Sequence, residues 1–519
     1  MTSAAPHPFD AVLRPRSIAV IGAGRSPETI GHAIVANLVR HGFTGPVYPV
    51  NPHATTIDSL PAYADLAGVP GPVDLAVVVV PKHAVVQVAD ECGRHGVRGL
   101  LVISAGFREV GGEGIDRELQ LLGVARRYGM RLVGPNCLGV VNTDPAVSLN
   151  ATFAPSMPPA GGVAFVSESG ALGLVVLDHA REYGIGIGQF VSIGNHPDVS
   201  GSDLLEYWHR DSNVTAILMH IESFGEPRRF LELAARISRS KPIVVLTSGR
   251  SQAGARAAAS HTGALAAKGE VVDGYLAQAG VLRAETIEEL FDLALALQDQ
   301  PLPRSRRAAV ITNVGGPGIL AADALESRGL ELPSLTGATE ARLKFLLPAE
   351  ASPRNPVDLM ATVSPTTYAA ALDAVLADPG VDSVVAIFAP TANVQQSQIA
   401  TAIAGLRPSY PAKPLLAVLM GREGLPQART TLREAGVPTY VFPESAARAL
   451  AALARQRERV ELPDPPAEIL PIDSGQARRT LLSSRSKGRV LLGAAPLELL
   501  SAYGVPTAPA RLTITQDAA

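Results

Sequence analysis

The sequence is poor in the features that mark secreted, membrane-spanning and nucleic-acid-binding proteins. Its 519 residues include two cysteines, Cys92 and Cys137, which excludes a disulfide framework and predicts a protein of the reducing cytoplasm. A formal net charge of −3 provides no excess of positive charge for nucleic acid or an anionic membrane surface. No apolar run reaches the roughly 18 residues of a membrane-spanning helix. Residues 1–9 also lack the charged start and apolar core of a signal peptide, so we expect neither feature.

Two further absences limit how the chain binds nucleotides. It has no glycine-rich loop of the GxxxxGK type, so no P-loop for ATP is expected. A glycine loop at residues 22–31 follows a predicted strand, but Pro27 stands where the GxGxxG motif needs its third glycine. The second predicted strand ends in Asn51 and Pro52, and residues 48–54 contain no carboxylate for the ribose 2′-hydroxyl of NAD. A nicotinamide cofactor is therefore disfavoured, whereas a nucleotide with a phosphorylated ribose is compatible.

What the chain does contain is a long alternation of strand-length apolar runs and amphipathic helical segments over about 450 residues. This pattern predicts an α/β protein built from βαβ units around parallel sheets. The first series predicts a Rossmann-like domain over residues 1–145. The next two series each begin with a strand, a turn of small residues and a long helix, which predicts related flavodoxin-like domains over residues 146–300 and 301–458. Residues 459–474 are rich in proline and charge and predict a linker, followed by one short helix.

The turns that open the second and third series have the features of anion-binding helix ends. Each would place free backbone N–H groups and the positive end of a helix dipole around one point. The candidate phosphate-binding residues are Ser167, Ser169 and Gly170 in one turn, and Gly315, Gly316 and Gly318 in the other.

His261 is the candidate nucleophile. It lies in the segment SHTGALA, residues 260–266, after a predicted strand and a loop of small residues. A neutral imidazole can attack a phosphoryl group near pH 7, although an ordinary surface or helix-capping histidine is the alternative. Two helix ends that face each other would hold a phosphoryl group on His261, and Glu222, just after a predicted strand, is a candidate to orient the imidazole.

The carboxyl ends of the first set of strands form the candidate cofactor site, because ligands bind at that edge of open α/β sheets. Lys82 is placed to pair with a phosphate, against the alternative of an ordinary surface lysine. Cys137 is better explained as a buried structural thiol than as a reactive one. The candidate cofactor-binding residues are Gly22, Ala23, Gly24, Arg25, Ser26, Asn51, Pro52, Pro81, Lys82, Ser104, Ala105, Gly106 and Asn136.

Taken in order, these motifs resemble the NDP-forming acyl-CoA synthetases, the superfamily of ADP-forming acetate–CoA ligase and succinyl-CoA synthetase. The resemblance spans about residues 10–455. Besides the segments above, it rests on residues 48–52 (YPVNP), 134–139 (GPNCLG), 192–195 (SIGN), 199–205 (VSGSDLL), 313–318 (NVGGPG) and 355–359 (NPVDL). It implies a CoA-binding domain followed by two CoA-ligase domains, with a phosphohistidine at His261 supported by Glu222.

The resemblance also implies a reaction. ATP phosphorylates His261, a small carboxylic acid takes the phosphoryl group to form an acyl phosphate, and the CoA thiol then displaces phosphate. We expect the acid to bind in a pocket between the second and third domains, near Gly194, Asn195 and Asn355. Residues 491–512 resemble the opening of an ATP-grasp domain, so ATP and Mg²⁺ are expected to bind in an ATP-grasp domain or subunit outside this sequence. We expect an oligomer, and no metal site in this chain.

The chain departs from the family pattern at two positions, and two other functions are alternatives. The family often has serine where Gly24 stands and lysine where Thr247 stands, and the second difference affects one phosphate or substrate contact. A non-catalytic CoA-binding regulatory module is the alternative function, but an intact His261 and two anion-binding helix ends argue against it. A nicotinamide-dependent dehydrogenase is disfavoured by the missing acidic residue after the second strand.

Overall fold

The computed structural model describes residues 7–249, 251, 253–254, 256, 269–390, 394–421, 424–463, 472–486 and 494–508. The chain divides into two compact units, Met1–Val460 and Glu461–Ala519. Within the ranges that the structure describes, no helix is both long enough and apolar enough to cross a membrane.

The first sheet of the large unit is parallel, with strand order β2-β1-β5-β6-β7. Apolar strands such as IAVI and LAVV are buried along their whole length because helices cover both faces of the sheet. The strands of this region are β1 (Ile18–Ile21), β2 (Val47–Val50), β3 (Thr56–Ile57), β4 (Leu60–Pro61), β5 (Leu75–Val78), β6 (Gly99–Val102) and β7 (Arg131–Val133), of which β3 and β4 form a separate hairpin. The helices are α1 (Asp10–Leu13), α2 (Ile30–Arg40), α3 (Val85–Arg94) and α4 (Glu113–Tyr128).

The second sheet has seven strands in the order β14-β13-β12-β10-β11-β8-β9. It is parallel except that β8 pairs antiparallel with both β11 and β9. The strands are β8 (Gly139–Asn142), β9 (Leu149–Thr152), β10 (Val163–Ser167), β11 (Ile187–Ser192), β12 (Ala216–Ile221), β13 (Ile243–Thr247) and β14 (Leu282–Ala284). The helices are α5 (Gly170–Tyr183), α6 (Gly201–Arg210), α7 (Pro227–Ile237), α8 (Gly269–Gln278) and α9 (Ile287–Asp299). Because this sheet already begins at Gly139, the predicted boundary after residue 145 falls between two of its strands.

The third sheet is parallel, in the order β16-β15-β17-β18-β19. Its strands are β15 (Ala308–Thr312), β16 (Val357–Asp358), β17 (Ser383–Phe388), β18 (Leu415–Leu419) and β19 (Thr439–Tyr440). The helices are α10 (Gly315–Glu326), α11 (Gly337–Leu346), α12 (Pro365–Ala377), α13 (Gln396–Leu406), α14 (Leu425–Glu434) and α15 (Pro443–Glu461). This arrangement, with the two preceding sheets, confirms the α/β fold class and the two flavodoxin-like domains.

Two shared apolar cores join the three sheets into one unit. One core combines Val176 of α5, Leu290 of α9, Ala321 of α10 and Leu450 of α15 with residues of the second and third sheets. These helices therefore form a common layer between those two sheets. The other core joins the first sheet to the second, where the Asn37 side chain of α2 also donates to two backbone carbonyl groups at the end of β9.

The small unit contributes two helices, α16 (Ser474–Ser486) and α17 (Ala495–Ala502). The second matches the short helix that the sequence predicts, whereas α16 was not predicted. The backbone N–H of Asp473 donates to the carbonyl of Ala502, which ties the start of one helix to the end of the other.

Candidate active site

A small polar cleft of about 60 Å³ lies where the carboxyl ends of the first and second sheets meet. Loops after β6, β7, β10, β11 and β12 supply its walls, as expected for parallel sheets whose strand ends share one edge. The cleft is lined by Arg108, Glu109, Asn136, Glu168, Gly194, Asn195, His196 and Glu222. Four predicted site residues, Asn136, Gly194, Asn195 and Glu222, are therefore brought together from three separate loops.

Gly194 allows the loops of the two sheets to approach each other. Its φ is +54°, in the left-handed region, and a Cβ at this position would overlap the carbonyl oxygens of Pro135 and Asn136. The backbone N–H of Asn195 then donates to the carbonyl of Pro135 at 3.0 Å. No side chain fits at position 194, so glycine is required by both conformation and space.

Asn195 links the second sheet to charged groups of the first. Its Nδ2 donates to Glu109 Oε2 at 2.6 Å and to Glu118 Oε2 at 2.9 Å, and its Oδ1 accepts from Asn136 Nδ2 at 3.4 Å. The guanidinium of Arg108 donates to Glu118 Oε1 at 2.7 Å. Burial acts to raise the pKa of Glu109, but hydrogen bonds from Asn195 and from backbone N–H groups outweigh it and hold the pKa below its usual value. This wall of the cleft therefore carries the ionised carboxylate of Glu109, which accepts from Asn195.

Glu168 forms the opposite wall and has the reverse electrostatics. Its Oε2 accepts from the backbone N–H groups of Glu222 at 2.9 Å and Ser223 at 3.2 Å. Burial raises the pKa of Glu168 to about 8, and the nearby carboxylate of Glu222 adds to the effect against those two hydrogen bonds. The same oxygen lies 3.9 Å from Nε2 of His196, whose pKa is lowered by burial. At neutral pH the cleft thus holds a protonated carboxyl group beside a neutral imidazole.

Glu222 has its backbone fixed by Glu168 and its side chain on the cleft. This placement is compatible with the predicted support of His261. His261 and its segment, residues 260–266, lie outside the described part of the chain, so its phosphorylation and its pairing with Glu222 stay predictions.

The first predicted anion-binding turn is braced by a chain of hydroxyl and imidazole groups. Ser167 Oγ donates to the carbonyl of Ser169 at 2.7 Å, and Ser169 Oγ caps α5 by accepting from the backbone N–H of Leu172 at 3.3 Å. Behind them His220 lies with Nδ1 3.3 Å from Ser167 Oγ and Nε2 2.9 Å from Ser248 Oγ. Because the Ser167 hydroxyl hydrogen is already used, this pattern assigns the proton of His220 to Nδ1. Burial lowers the pKa of His220 to about 4, so the ring is neutral.

The second anion-binding turn is more open. Gly315 and Gly316 are exposed, and Val314, at the N-cap of α10, makes no side-chain cap. Thr312 Oγ1 donates to the carbonyl of Val314 at 2.8 Å, and Gly318 packs closely against the Thr312 side chain. Both α5 and α10 lie in the helical layer between the second and third sheets. That their ends face one phosphoryl group stays a prediction.

Asn355, which is predicted to lie near the acid, lies beside β15 of the third sheet. Its Oδ1 accepts from the backbone N–H of Val310 at 3.0 Å, and its Nδ2 donates to the carbonyl groups of Ala308 at 3.0 Å and Pro333 at 3.1 Å. These bonds use its side-chain amide to tie β15 to neighbouring loops. Asn355 is not among the residues that line the cleft, and its contact with the acid stays a prediction.

The predicted cofactor loop lies at the point of the first sheet where β2 and β5 flank β1 on opposite sides. Gly22 has a φ of +92°, and a Cβ there would overlap the carbonyl of Val79, so the loops after β1 and β5 touch. Asn51 Nδ2 donates to the carbonyl of Ala23 at 2.6 Å and holds the loop in shape. The remaining predicted residues divide by exposure: Arg25, Ser26, Pro52, Pro81, Lys82 and Ala105 are exposed, whereas Gly24 and Ser104 are partly buried and Gly106 is buried.

Two further observations concern the loops beside this site. The Lys82 side chain lies across Gly106, where a Cβ would collide with it, and Ser104 Oγ donates to the carbonyl of Val80 at 2.6 Å. Cys137 is buried, its thiol donates to the carbonyl of Val102 at 3.3 Å, and burial raises its pKa to about 12. A thiol with that pKa is unreactive at neutral pH, which agrees with the predicted structural role.

Several residues of the site were not predicted from sequence. Glu168 and His196 stand directly beside predicted residues, within the motifs ESG and GNH. The sequence therefore indicated that they lie near the site, but not what they do there. Glu109 and Glu118 could not be predicted, because their contacts with Asn195 span 86 and 77 residues of chain, and Arg108 joins the site through Glu118. His220 and Ser248 are also distant in sequence from the turn that they brace.

Comparison with known families matches three consecutive parts of the chain. A CoA-binding domain matches residues 16–143, a succinyl-CoA ligase-like flavodoxin domain matches residues 160–297, and a ligase-CoA domain matches residues 308–459. The first of these supports coenzyme A as the ligand of the first sheet.

Similar proteins cover nearly the whole chain. The alpha subunit of acetate–CoA ligase (ADP-forming) II from Pyrococcus furiosus is 40% identical over 455 residues, which cover 87% of this chain and 98% of that subunit. The 4-hydroxybutyrate–CoA ligase (ADP-forming) of Nitrosopumilus maritimus is 36% identical, over 95% of this chain and 71% of that protein. The solved structure of acetyl-coenzyme A synthetase 1 from Ca. Korarchaeum cryptofilum, in complex with phosphate and ADP, has a TM-score of 0.82 and 36% identity and covers 87% of this chain and 98% of that one. The chain therefore belongs to the family of ADP-forming acyl-CoA synthetases that contains the ADP-forming acetate–CoA ligases.

Proposed function

We propose that this protein is the CoA-binding and phosphohistidine-bearing part of an ADP-forming acyl-CoA synthetase, which makes acyl-CoA from a small carboxylic acid and CoA. The observation that carries the proposal is the cleft between the first and second sheets, where Asn136, Gly194, Asn195 and Glu222 meet. Its walls join the part of the chain that matches a CoA-binding domain to the part that matches a ligase domain. A thioester must form where the end of CoA meets the activated acid, and this junction suits that step.

Coenzyme A binds, in this proposal, with its diphosphate over residues 22–26. The exposed side chains of Arg25 and Lys82 supply positive charge at the loops after β1 and β5. The absence of a carboxylate after β2 leaves room for a phosphorylated ribose, which an acidic residue would repel.

The reaction then proceeds in two transfers. The carboxylate oxygen of the acid attacks the phosphorus of phosphorylated His261, the N–P bond breaks and an acyl phosphate forms. The CoA sulfur next attacks the acyl carbon, the C–O bond to phosphate breaks, and phosphate leaves with the thiol proton passed to a base. Glu222 orients His261, and residues 167–170 and 315–318 hold the phosphoryl group through helix-end N–H groups.

ATP bound with Mg²⁺ supplies the phosphoryl group of His261 from an ATP-grasp domain or subunit. Support for a separate location comes from the Pyrococcus furiosus alpha subunit, which is itself one subunit and aligns over 98% of its length. We also propose that the chain divides into residues 1–145, 146–300, 301–458 and 459–519. The first of these boundaries falls between β8 and β9 of the second sheet.

Labelling of the partial reaction tests this function. Incubation with ³²P-labelled acetyl phosphate should give an acid-labile, base-stable label on the peptide that carries His261. H261A should lose the label and, with an added ATP-grasp partner, ATP-driven acyl-CoA formation, but should keep acyl transfer from acetyl phosphate to CoA, because that step does not use the histidine. Calorimetry should show CoA binding of H261A near the wild-type value and far ahead of NAD. Label on a serine or an aspartate, or a label retained by H261A, would contradict the mechanism. Preference for NAD would contradict the CoA assignment.

A further inference from the structure

Among the residues that the structure describes, His196 alone lines both the cleft and a second, larger cavity. That cavity has a volume of about 520 Å³ and is open to solvent. Its lining includes Arg126, Arg131, Asp203 and Arg229, none of which lines the cleft. The His196 imidazole therefore stands between the two spaces.

The His196 side chain is held firmly in this position. Its backbone has a φ of +44° and its N–H donates to the carbonyl of Ile193 at 3.1 Å, which closes a tight turn after β11. Its ring is largely buried, and Nε2 lies 3.9 Å from Glu168 Oε2. The turn therefore fixes where the side chain starts, and the ring stands beside the buried carboxyl group of Glu168 as a wall between the two spaces.

The volumes set the size of a molecule that each space accepts. A water-sized group needs roughly 10–15 Å³ of cavity volume. The cleft of about 60 Å³ therefore holds about four to six non-hydrogen atoms. That matches an acid as short as acetate or propanoate. An aryl acid exceeds it and would need the neighbouring cavity as well.

We propose that His196 is the specificity-determining residue of this enzyme, and that its imidazole limits the acyl group to short chains by separating the cleft from the 520 Å³ cavity. The inference rests on the proposed function, since it takes the cleft as the acyl site. Two family members are named for different acids, acetate and 4-hydroxybutyrate, so the acyl site is a place where variation between members is expected.

Phosphorolysis of acyl-CoA by the full chain tests the proposal without ATP. Inorganic phosphate and acetyl-CoA, butanoyl-CoA or phenylacetyl-CoA are supplied, and the free CoA thiol is measured. H196A should raise the ratio of kcat/KM for phenylacetyl-CoA to that for acetyl-CoA by about 10-fold to 100-fold, the range that a lost steric limit in a pocket gives. H196G, which suits a positive φ, should shift the ratio in the same direction even if H196A folds poorly.

A matched control enlarges the second cavity without opening the wall. Arg126 is exposed and lines only that cavity, so R126A should leave the ratio unchanged. An equal change of all three acyl-CoA rates in both His196 variants, or no change, would overturn the proposal while wild-type turnover still supports the function. Wild-type protein that releases no CoA from acetyl-CoA and phosphate would instead contradict the proposed function itself.

Discussion

The turns after β10 and β15 have the same construction but different chemistry. In each, the hydroxyl of the last strand residue donates to the carbonyl two residues later: Ser167 to Ser169 at 2.7 Å, and Thr312 to Val314 at 2.8 Å. In each, the following residue binds backbone atoms at the end of the neighbouring strand. Glu168 does so after β12 and Asn313 after β17.

The difference between the two turns lies in that following residue. Asn313 both accepts from the N–H and donates to the carbonyl of Ala389, each at 2.9 Å, and stays neutral at every pH. Glu168 accepts from two N–H groups and titrates near neutrality. The shared fold of the two turns therefore needs only a side chain that bridges two strand ends. The carboxyl group at position 168 is an addition that places a proton next to Glu222.

The largest expected change in stability comes from removing the carboxyl group of Glu168. Because the folded pKa of Glu168 is raised from about 4.5 to about 8, its contribution is present below pH 4.5 and is lost as pH rises through 8. The loss is about 1.4 kcal/mol per pH unit, or on the order of 3–5 kcal/mol in total. E168Q stays neutral, so its stability relative to wild type should increase by that amount between pH 5 and pH 8.

Hydrogen exchange of the β10–β12 segment, corrected for intrinsic rates, measures this difference as the free energy of local opening. E109Q is the matched control from the facing wall. The pKa of Glu109 is held below the usual 4.5, so its contribution is lost only as pH falls below about 4.5, and the E109Q difference should stay constant between pH 5 and pH 8. A stability difference between E168Q and wild type that does not vary with pH would show that Glu168 is ionised in the folded protein.

The reciprocal substitution, N313D, should introduce a titrating side chain into the third sheet. N313D replaces the amide donor by an oxygen that faces the carbonyl of Ala389 in a site where Asn313 is 1% exposed. A buried carbonyl without its donor costs about 1–3 kcal/mol, so local stability at pH 8 should fall by about that amount. At pH 5 part of it should return, since a protonated aspartate again donates. Hydrogen exchange of β15 and β17 reads the effect, with the exposed N213D as control, and equal protection in N313D and wild type at pH 8 would contradict it.

The sequence predicted the parts of these turns that depend on local pattern. Buried apolar runs marked β10 and β15, and the small residues after them marked the turns and the starts of α5 and α10. The sequence did not predict β16 and β19, because strands of two residues are too short to show periodicity. It also did not predict α9, which is apolar on most sides because it lies between two sheets. The raised pKa of Glu168 arises in a buried site where this side chain contacts the backbone of Glu222 across 54 residues, and that contact requires the order of strands in the sheet.

The smallest expected effect concerns the helix caps that follow each turn. Ser169 accepts from the N–H of Leu172, and loss of such a cap costs about 1 kcal/mol, so S169A should weaken local protection of residues 170–172 by that amount. Val314 has φ −141° and ψ 128°, the conformation of an N-cap residue, but its side chain provides no cap. V314S should therefore strengthen protection of residues 315 and 316 by about 0.5–1 kcal/mol through the N–H of Gly316, because Pro317 has none. V314A, which has no hydroxyl, is the neutral control. In the proposed function the same N–H groups hold phosphate, so a hydroxyl that occupies one of them should weaken phosphate inhibition of acyl transfer in V314S. Stronger phosphate inhibition in V314S would show that the third-sheet turn does not hold the anion.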